Sequence, residues 1–278
     1  MKTPFLSFVF AFSLITQAAA LDGLVETNDF GTTDWAEGYI EATGQGTARY
    51  LGNRIQEELM AKQAARTTAQ AHLLEIMKGI RVTGLTTLNE KAQSDARAAT
   101  RIKGTIKGAR VLSEKATWHK DKESRRGEVV LAEVTLRVCV SPVCSDTEKD
   151  VTTATLNLDT ADQKPIKAAA KVGPTAVIID LEKALYLPAL APEVINEDGK
   201  IVYSQETVHP DAARMKGLIH YTKSVDAAQA MTLSGDAPLI IKAKQITKDN
   251  RIVLANKDAT RLKDLNVLQQ GKLIVALD

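Results

Sequence analysis

The sequence predicts an α+β protein made of two small domains, each a mainly antiparallel sheet covered by helices. Three observations support this class: an alanine-rich helical pattern over residues 54–78, alternating apolar segments on either side of it, and a polar stretch between residues 145 and 175. Helices that cover hairpin-connected strands are typical of α+β folds. A chain of 278 residues is long enough for two modest domains.

The first 20 residues have the three parts of a secretory signal peptide. Lys2 gives a positive start, residues 5–15 form a short apolar run, and Ala18 to Ala20 fit a small-residue cleavage site. We therefore expect cleavage near Ala20, export to the periplasm, and a mature protein without a transmembrane segment. Because the junction carries no Cys, we expect association with an outer membrane to be indirect, through partners.

The first domain is predicted over residues 37–145, after an irregular lead at 21–36 that shows no periodicity. It begins with a strand at 37–48, whose Gly44 and Gly46 indicate a bulge or a close backbone approach.

The helix over 54–78 should begin after an Asn53 N-cap and end at Gly79. Its predicted buried face starts with Ile55 and Leu59 and continues through alanines at 61, 65 and 69. Small side chains would let the helix axis lie close to a flat sheet.

The remainder of this domain contains one uncertain segment and one clear hairpin. Residues 80–88 are predicted as a strand, and residues 91–104 as a short helix or a charged loop. Residues 109–121 and 127–140 then form a hairpin around a charged loop that ends in Gly.

A linker region is predicted at 146–174, followed by a C-terminal domain at 175–278. In that domain we expect an apolar strand at 175–182, a helix over 211–231 and a hairpin over 239–256. A final strand at 272–277 would hold the C-terminus in the sheet.

Two cysteines, Cys139 and Cys144, bracket a Ser-Pro turn. Zinc would need further ligands nearby, and the spacing is not that of a C-x-x-C redox motif. A local disulfide is the simplest interpretation in an oxidising compartment, and a pair of free thiols is the alternative.

Motifs for catalysis or cofactor binding are not recognisable in the chain. The sequence lacks G-x-S-x-G and H-E-x-x-H, and the glycine spacing in residues 44–52 is neither a phosphate loop nor a dinucleotide fingerprint. The four histidines are scattered, and the carboxylates at 180, 182, 197 and 198 are those of a strand end and a turn. We expect no catalytic, cofactor or metal site. The net charge of +2 also argues against nucleic acid as a partner.

The loop of the predicted hairpin is the candidate interaction site. Its basic residues are Lys120, Lys122, Arg125 and Arg126. A solvated loop is one interpretation, and contact with anionic lipid or peptidoglycan is the other. Exposed edges of the small sheets could also add a strand from a neighbouring molecule.

Residues 37–140 resemble the LPP-twenty bacterial lipoprotein family, in a layout that is similar to the flagellar envelope proteins FlgP and the N-terminal part of FlgT. The marks of the resemblance are alanines at 61, 64, 65 and 69, the Gly79-Ile80-Val82 strand entry, and more loosely residues 102–108. The resemblance implies an outer-membrane-associated or periplasmic protein, and in the flagellar branches a ring or disc built by subunit packing. The second half looks like a C-terminal extension that some members carry.

The sequence thus predicts a non-enzymatic cell-envelope protein that assembles with copies of itself or with other envelope or flagellar proteins. The alternative is a monomeric periplasmic binding or adaptor module that recognises peptidoglycan, lipid or protein.

Overall fold

The computed structural model describes residues 24–144, 150–156, 173–263 and 265–278. The predicted signal peptide and most of the predicted linker lie outside these residues. Helices and mainly antiparallel strand pairs make up the described part, which confirms the predicted α+β class.

The N-terminal half contains seven strands and three helices among its described residues. In chain order they are β1 (Val25–Asn28), β2 (Gly31–Asp34), β3 (Tyr39–Thr47), α1 (Arg54–Gly79), β4 (Arg81–Thr83), β5 (Thr86–Thr87), α2 (Leu88–Ser94), α3 (Ala96–Lys107), β6 (Arg110–Lys120) and β7 (Glu128–Cys139). Segment 91–104, left open between helix and loop, is therefore largely helical.

One antiparallel sheet, in the order β1-β2-β3-β7-β6, forms the base of this half. The predicted hairpin is its β6–β7 pair, in which Lys120 lies opposite Glu128. Strand β6 is one outer strand of the sheet, and β1 is the other.

The prediction of an irregular lead at 21–36 is wrong, because β1 and β2 form a hairpin that extends the sheet. The turn is held by the Asn28 side chain, whose Oδ1 accepts hydrogen bonds from the backbone N–H groups of Phe30 and Gly31 at 2.9 and 3.1 Å. An Asn side chain that accepts from the backbone two residues further on is a common device of tight turns.

Helix α1 lies directly on this sheet, as predicted. Asn53 caps it by accepting from the N–H groups of Ile55 and Gln56. The alanines at 61, 65 and 69 are fully buried against β3. Gly44 and Gly46 face them so closely that an added Cβ at either glycine would lie 2.1 to 2.2 Å from helix backbone atoms.

The first two turns of α1 differ from the prediction. Ile55 and Leu59 were expected in the buried face, but they are 72% and 62% exposed. The close helix–sheet contact begins only at Ala61, opposite Gly46 near the end of β3, so the helix start projects beyond that contact.

The other described elements belong to the second half, apart from one short helix within the predicted linker. They are α4 (Val151–Leu156), β8 (Val177–Asp180), β9 (Val194–Asn196), β10 (Ile201–Tyr203), α5 (Pro210–Lys216), β11 (His220–Thr222), α6 (Val225–Ala230), β12 (Leu239–Lys242), β13 (Gln245–Ile246), β14 (Ile252–Leu254), α7 (Asn256–Leu262), α8 (Asn266–Gln269) and β15 (Leu273–Ala276).

Strand pairing in the second half departs from the antiparallel pattern expected there. The sheet β11-β15-β8-β12 is parallel throughout, and the sheet β10-β9-β14-β13 is mixed. Strands β8 and β15 are buried on both faces, as is usual in parallel sheets. The terminal strand predicted at 272–277 is β15, and it lies centrally in the parallel sheet.

The helix expected over 211–231 is interrupted. Gly217 has a φ of +88° and ends α5, after which β11 precedes α6. Apolar residues continue through the interruption, which is why periodicity alone did not reveal it.

The two halves pack against each other through backbone hydrogen bonds and a shared apolar cluster. The N–H groups of Leu190 and Ala191 donate to the carbonyls of Arg81 and Val82 at 2.9 and 2.8 Å. Buried residues of both halves belong to one continuous hydrophobic cluster.

Asn250 adds a second link between the halves. Its side-chain amide donates to the Leu187 carbonyl at 2.7 Å and the Gly84 carbonyl at 3.4 Å, and its Oδ1 accepts from the Leu187 N–H at 3.0 Å. The turn at 248–250, the tip of the hairpin predicted over 239–256, is therefore part of the contact with the first half.

Candidate functional site

An exposed apolar cluster lies around the start of α1. Its members, which we call the apolar end, are Tyr50, Leu51, Ile55, Leu59 and Met60, with exposed fractions from 37% to 72%. Contiguous exposed apolar surface with a polar rim is a feature of protein interaction sites.

A buried ion pair fixes the apolar end to the β6–β7 hairpin. Glu57, only 4% exposed, accepts hydrogen bonds from Arg126 Nη2 and from the Leu51 N–H, both at 2.8 Å. The Arg126 guanidinium lowers the pKa of the Glu57 carboxyl below its usual value, and the Leu51 N–H lowers it further. The pair therefore holds the helix start, the preceding loop and the hairpin in one arrangement.

Aromatic rings complete this arrangement. The Arg54 guanidinium lies 4.3 Å from the centre of the Trp118 ring and pairs with Glu128 at 3.4 Å. Arg126 lies over the Tyr50 ring at 5.2 Å. Cation–π contacts of this kind order long arginine side chains next to the apolar end.

The four basic residues predicted as an interaction loop have two different environments. Lys120, Lys122 and Arg125 are exposed, whereas Arg126 is largely enclosed by its contacts with Glu57 and the rings. Asp121 and Glu123 lie between the exposed cations, so the rim of the apolar end carries both signs of charge.

Strand β6 presents a free edge beside the apolar end. It pairs only with β7 among the described strands, and most of its eleven residues are exposed. Val111 and Leu112 are 38% and 39% exposed. A long unpaired edge can accept a strand from another molecule.

The predicted disulfide between Cys139 and Cys144 is present. It joins the end of β7 to the following turn, close to the point where the chain leaves the first half. This geometry favours the disulfide over a pair of free thiols.

The residues weighed as chemical candidates are dispersed. His72 contacts the Thr43 carbonyl at 2.8 Å, His209 caps α5, and His119 is exposed on β6. Glu182 pairs with Lys242 and Glu197 with Lys244.

His220 is the buried histidine of this set. Its Nε2 has no hydrogen-bond partner in the described part of the chain. Burial lowers the pKa of His220 to about 4.

A cleft of about 770 Å³ lies on the second half. The β9–β10 turn forms one wall and helices α7 and α8 the other; residues at its surface include Asp198, Lys200, Ile201, Asn256 and Thr260. The cleft is not apparent in the sequence, because its walls come together only through the parallel pairing of β9 and β14.

Two further features are absent from the described ranges. No cluster of three or more His, Cys, Asp or Glu side chains could hold a metal ion there. None of the helices described has the length and apolar character needed to cross a membrane.

The fold and the surface together define an α+β protein with an exposed apolar end, a free sheet edge and a separate cleft. Residues 176–278 match the family model described as Treponema pallidum Tp0624, second domain. This part of the chain is therefore similar to that domain. A comparison with curated proteins found no match to the chain.

Proposed function

We propose that the protein is a non-enzymatic component of the bacterial cell envelope that assembles by contact between subunits. The apolar end is the observation that carries the proposal. Five apolar side chains are exposed there, three on the first two turns of α1 and two in the loop before it, and a buried ion pair holds the helix start in place. Ordered exposed apolar surface favours a partner that covers it.

The free edge of β6 supports the same function. It lies on the hairpin that contacts the apolar end, so an incoming subunit could bury both together. Main-chain hydrogen bonds between β6 and a strand of the incoming subunit would fix their relative register. Burial of the apolar side chains would contribute most of the binding affinity.

The envelope location is proposed from the signal-peptide pattern of residues 1–20 and from the LPP-twenty resemblance of residues 37–140. The disulfide is consistent with an oxidising compartment. Association with a flagellar basal body or an outer membrane is the more specific form of this proposal, with other envelope or flagellar proteins as additional partners.

Sedimentation velocity at several protein concentrations tests the assembly. We expect the wild type to form larger species as concentration rises, and the double variant Ile55→Lys with Leu59→Lys to remain a monomer. Leu185→Lys with Met215→Lys is the matched control, because these two side chains are 87% and 76% exposed outside the apolar end. A wild type that stays monomeric at every concentration would contradict self-assembly.

The cleft on the second half favours a second candidate function, a monomeric adaptor that binds peptidoglycan, lipid or another protein. Its volume of about 770 Å³ is sufficient for a small ligand or a short chain segment. Binding to purified peptidoglycan, compared between the wild type and the cleft-filling variant Thr260→Trp, tests one of these ligands. Equal binding by both proteins would exclude the cleft as the peptidoglycan site.

A further inference from the structure

Helix α3 has a solvent face on which all charged side chains are positive. The helix contains no Asp or Glu, and Ile102 and Ile106 on its inner face are buried. Arg97, Lys103 and Lys107 are exposed on the opposite side, within an arc of about 120° at 100° per residue. We call these three residues the cationic face.

The cationic face is exposed to solvent in the described part of the chain. Within the described ranges, the side chains of Arg97, Lys103 and Lys107 have no ion-pair partner. Arg101 is half-buried and has its own interactions, so we do not count it. The β6–β7 loop differs, because its cations alternate with Asp121 and Glu123.

Small residues occupy the centre of this face. Thr100 and Gly104 lie between the cations, and a Cβ added at Gly104 would meet nothing within 4 Å. A glycine inside a helix lowers helix stability relative to alanine, and packing within the described chain does not explain its presence here. The centre is shallow, so a flat partner could reach all three cations at once.

We infer that the cationic face binds the headgroups of an anionic phospholipid membrane. Each contact between one exposed cation and one headgroup is weak, so binding without an apolar anchor requires several such contacts at once. The surface of an anionic membrane offers many closely spaced negative charges and can supply them. The segment 96–108 has no aromatic residue for base stacking, which disfavours single-stranded nucleic acid. The inference rests on the proposed envelope location and is independent of self-assembly.

Vesicle co-sedimentation of the purified, cell-processed protein tests this contact. One set of vesicles is phosphatidylcholine alone, and the other includes about one quarter phosphatidylglycerol. We expect binding to the anionic vesicles at low salt, weaker binding as salt rises, and little binding to phosphatidylcholine.

The decisive variant is Arg97→Gln with Lys103→Gln and Lys107→Gln. At about five-fold per cation, its partition onto anionic vesicles should fall on the order of 100-fold. The matched control is Lys183→Gln with Lys248→Gln and Lys257→Gln, which removes three exposed cations of the second half and should bind almost as the wild type does. Thermal melting of both variants establishes that they are folded.

Four results would overturn the inference: equal binding of the wild type to both vesicle types, retained binding by the α3 variant, an equal loss in the control variant, or displacement from vesicles by trace single-stranded DNA. Any of these could occur while concentration-dependent sedimentation persists. In that case the lipid contact fails and the proposed assembly stands.

Discussion

Gly44 on β3 faces Ala69 on α1 at a distance that leaves no room for a side chain. A Cβ at Gly44 would lie 2.1 Å from the Ala69 backbone nitrogen. Ala65 stands one helix turn earlier, between Gly44 and Gly46, and is fully buried. The helix and the sheet are therefore in backbone contact, and their separation is set by glycine and alanine alone.

Replacing Ala65 by Leu should destabilise the first half severely. The added atoms would meet the backbone of β3, which cannot move as a side chain can, so we expect a loss of about 3 kcal/mol or more. Chemical denaturation monitored by circular dichroism measures this. Gln63→Leu is the control, because Gln63 lies on the exposed side of the same helix. Unchanged stability of the Ala65 variant would show that the helix does not lie on the sheet.

Asn250→Ala should destabilise the Leu187 loop of the second half and, through the lost bond to the Gly84 carbonyl, weaken the contact with the first half. It removes the amide that satisfies both backbone groups of Leu187, and such a loss costs roughly 2 kcal/mol for buried groups. Because Asn250 has a φ of +63°, Asn250→Gly serves as a second variant that tolerates this backbone conformation. If Asn250→Gly is as stable as the wild type, the amide contributes nothing and backbone conformation alone accounts for the alanine effect.

Reduction of the Cys139–Cys144 disulfide should lower the melting temperature. The closed loop is short, so the expected loss is about 2 kcal/mol. Melting curves with and without reductant measure it, and Cys139→Ser with Cys144→Ser should show the lower value in both conditions. A wild type that melts identically in reductant would contradict a stabilising role.

His220 should make stability depend on pH between about 6.5 and 4. Burial is the main cause of its low pKa in the fold, so the unfolded chain binds the proton more readily. The contribution of neutral His220 to the free energy of unfolding is therefore fully present above pH 6.5. It is lost as the pH falls through that window, by up to roughly 3 kcal/mol.

The variant that tests this pH effect is His220→Leu. The control is His119→Gln, which removes an exposed histidine. The denaturation midpoints at about pH 7.5 and about pH 4.5 should differ less in His220→Leu than in the wild type. In His119→Gln they should differ as much as in the wild type. An equal acid loss in all three proteins would assign the effect to carboxylates instead.

Residue size and local caps made much of the first half predictable. Three features of this half act over only a few positions and are therefore visible in the sequence. They are the alanines at every fourth position of α1, the Asn53 cap and the glycines of β3. The β6–β7 hairpin was predictable for the same reason. The β1–β2 hairpin was missed because a polar side chain, Asn28, organises its turn.

Features that depend on distant parts of the chain were not predictable. The central place of β15 in a parallel sheet depends on its pairing with β8 and β11, which come much earlier in the sequence. The exposure of Ile55 and Leu59 depends on where β3 ends, and helical periodicity does not carry that information. The sequence therefore predicted Ile55 and Leu59 of the apolar end as buried core residues.

The seam between the halves is built partly from main-chain groups, with the amides of Leu190 and Ala191 bonded to carbonyls of the β4 segment. Such bonds do not depend on side-chain identity, so other apolar residues could occupy these positions and keep both bonds. Each half can therefore diverge in sequence at its own pace while the joint between them persists. The two halves could thus keep the same docking geometry in a protein whose sequence at this contact differs from that of the present chain.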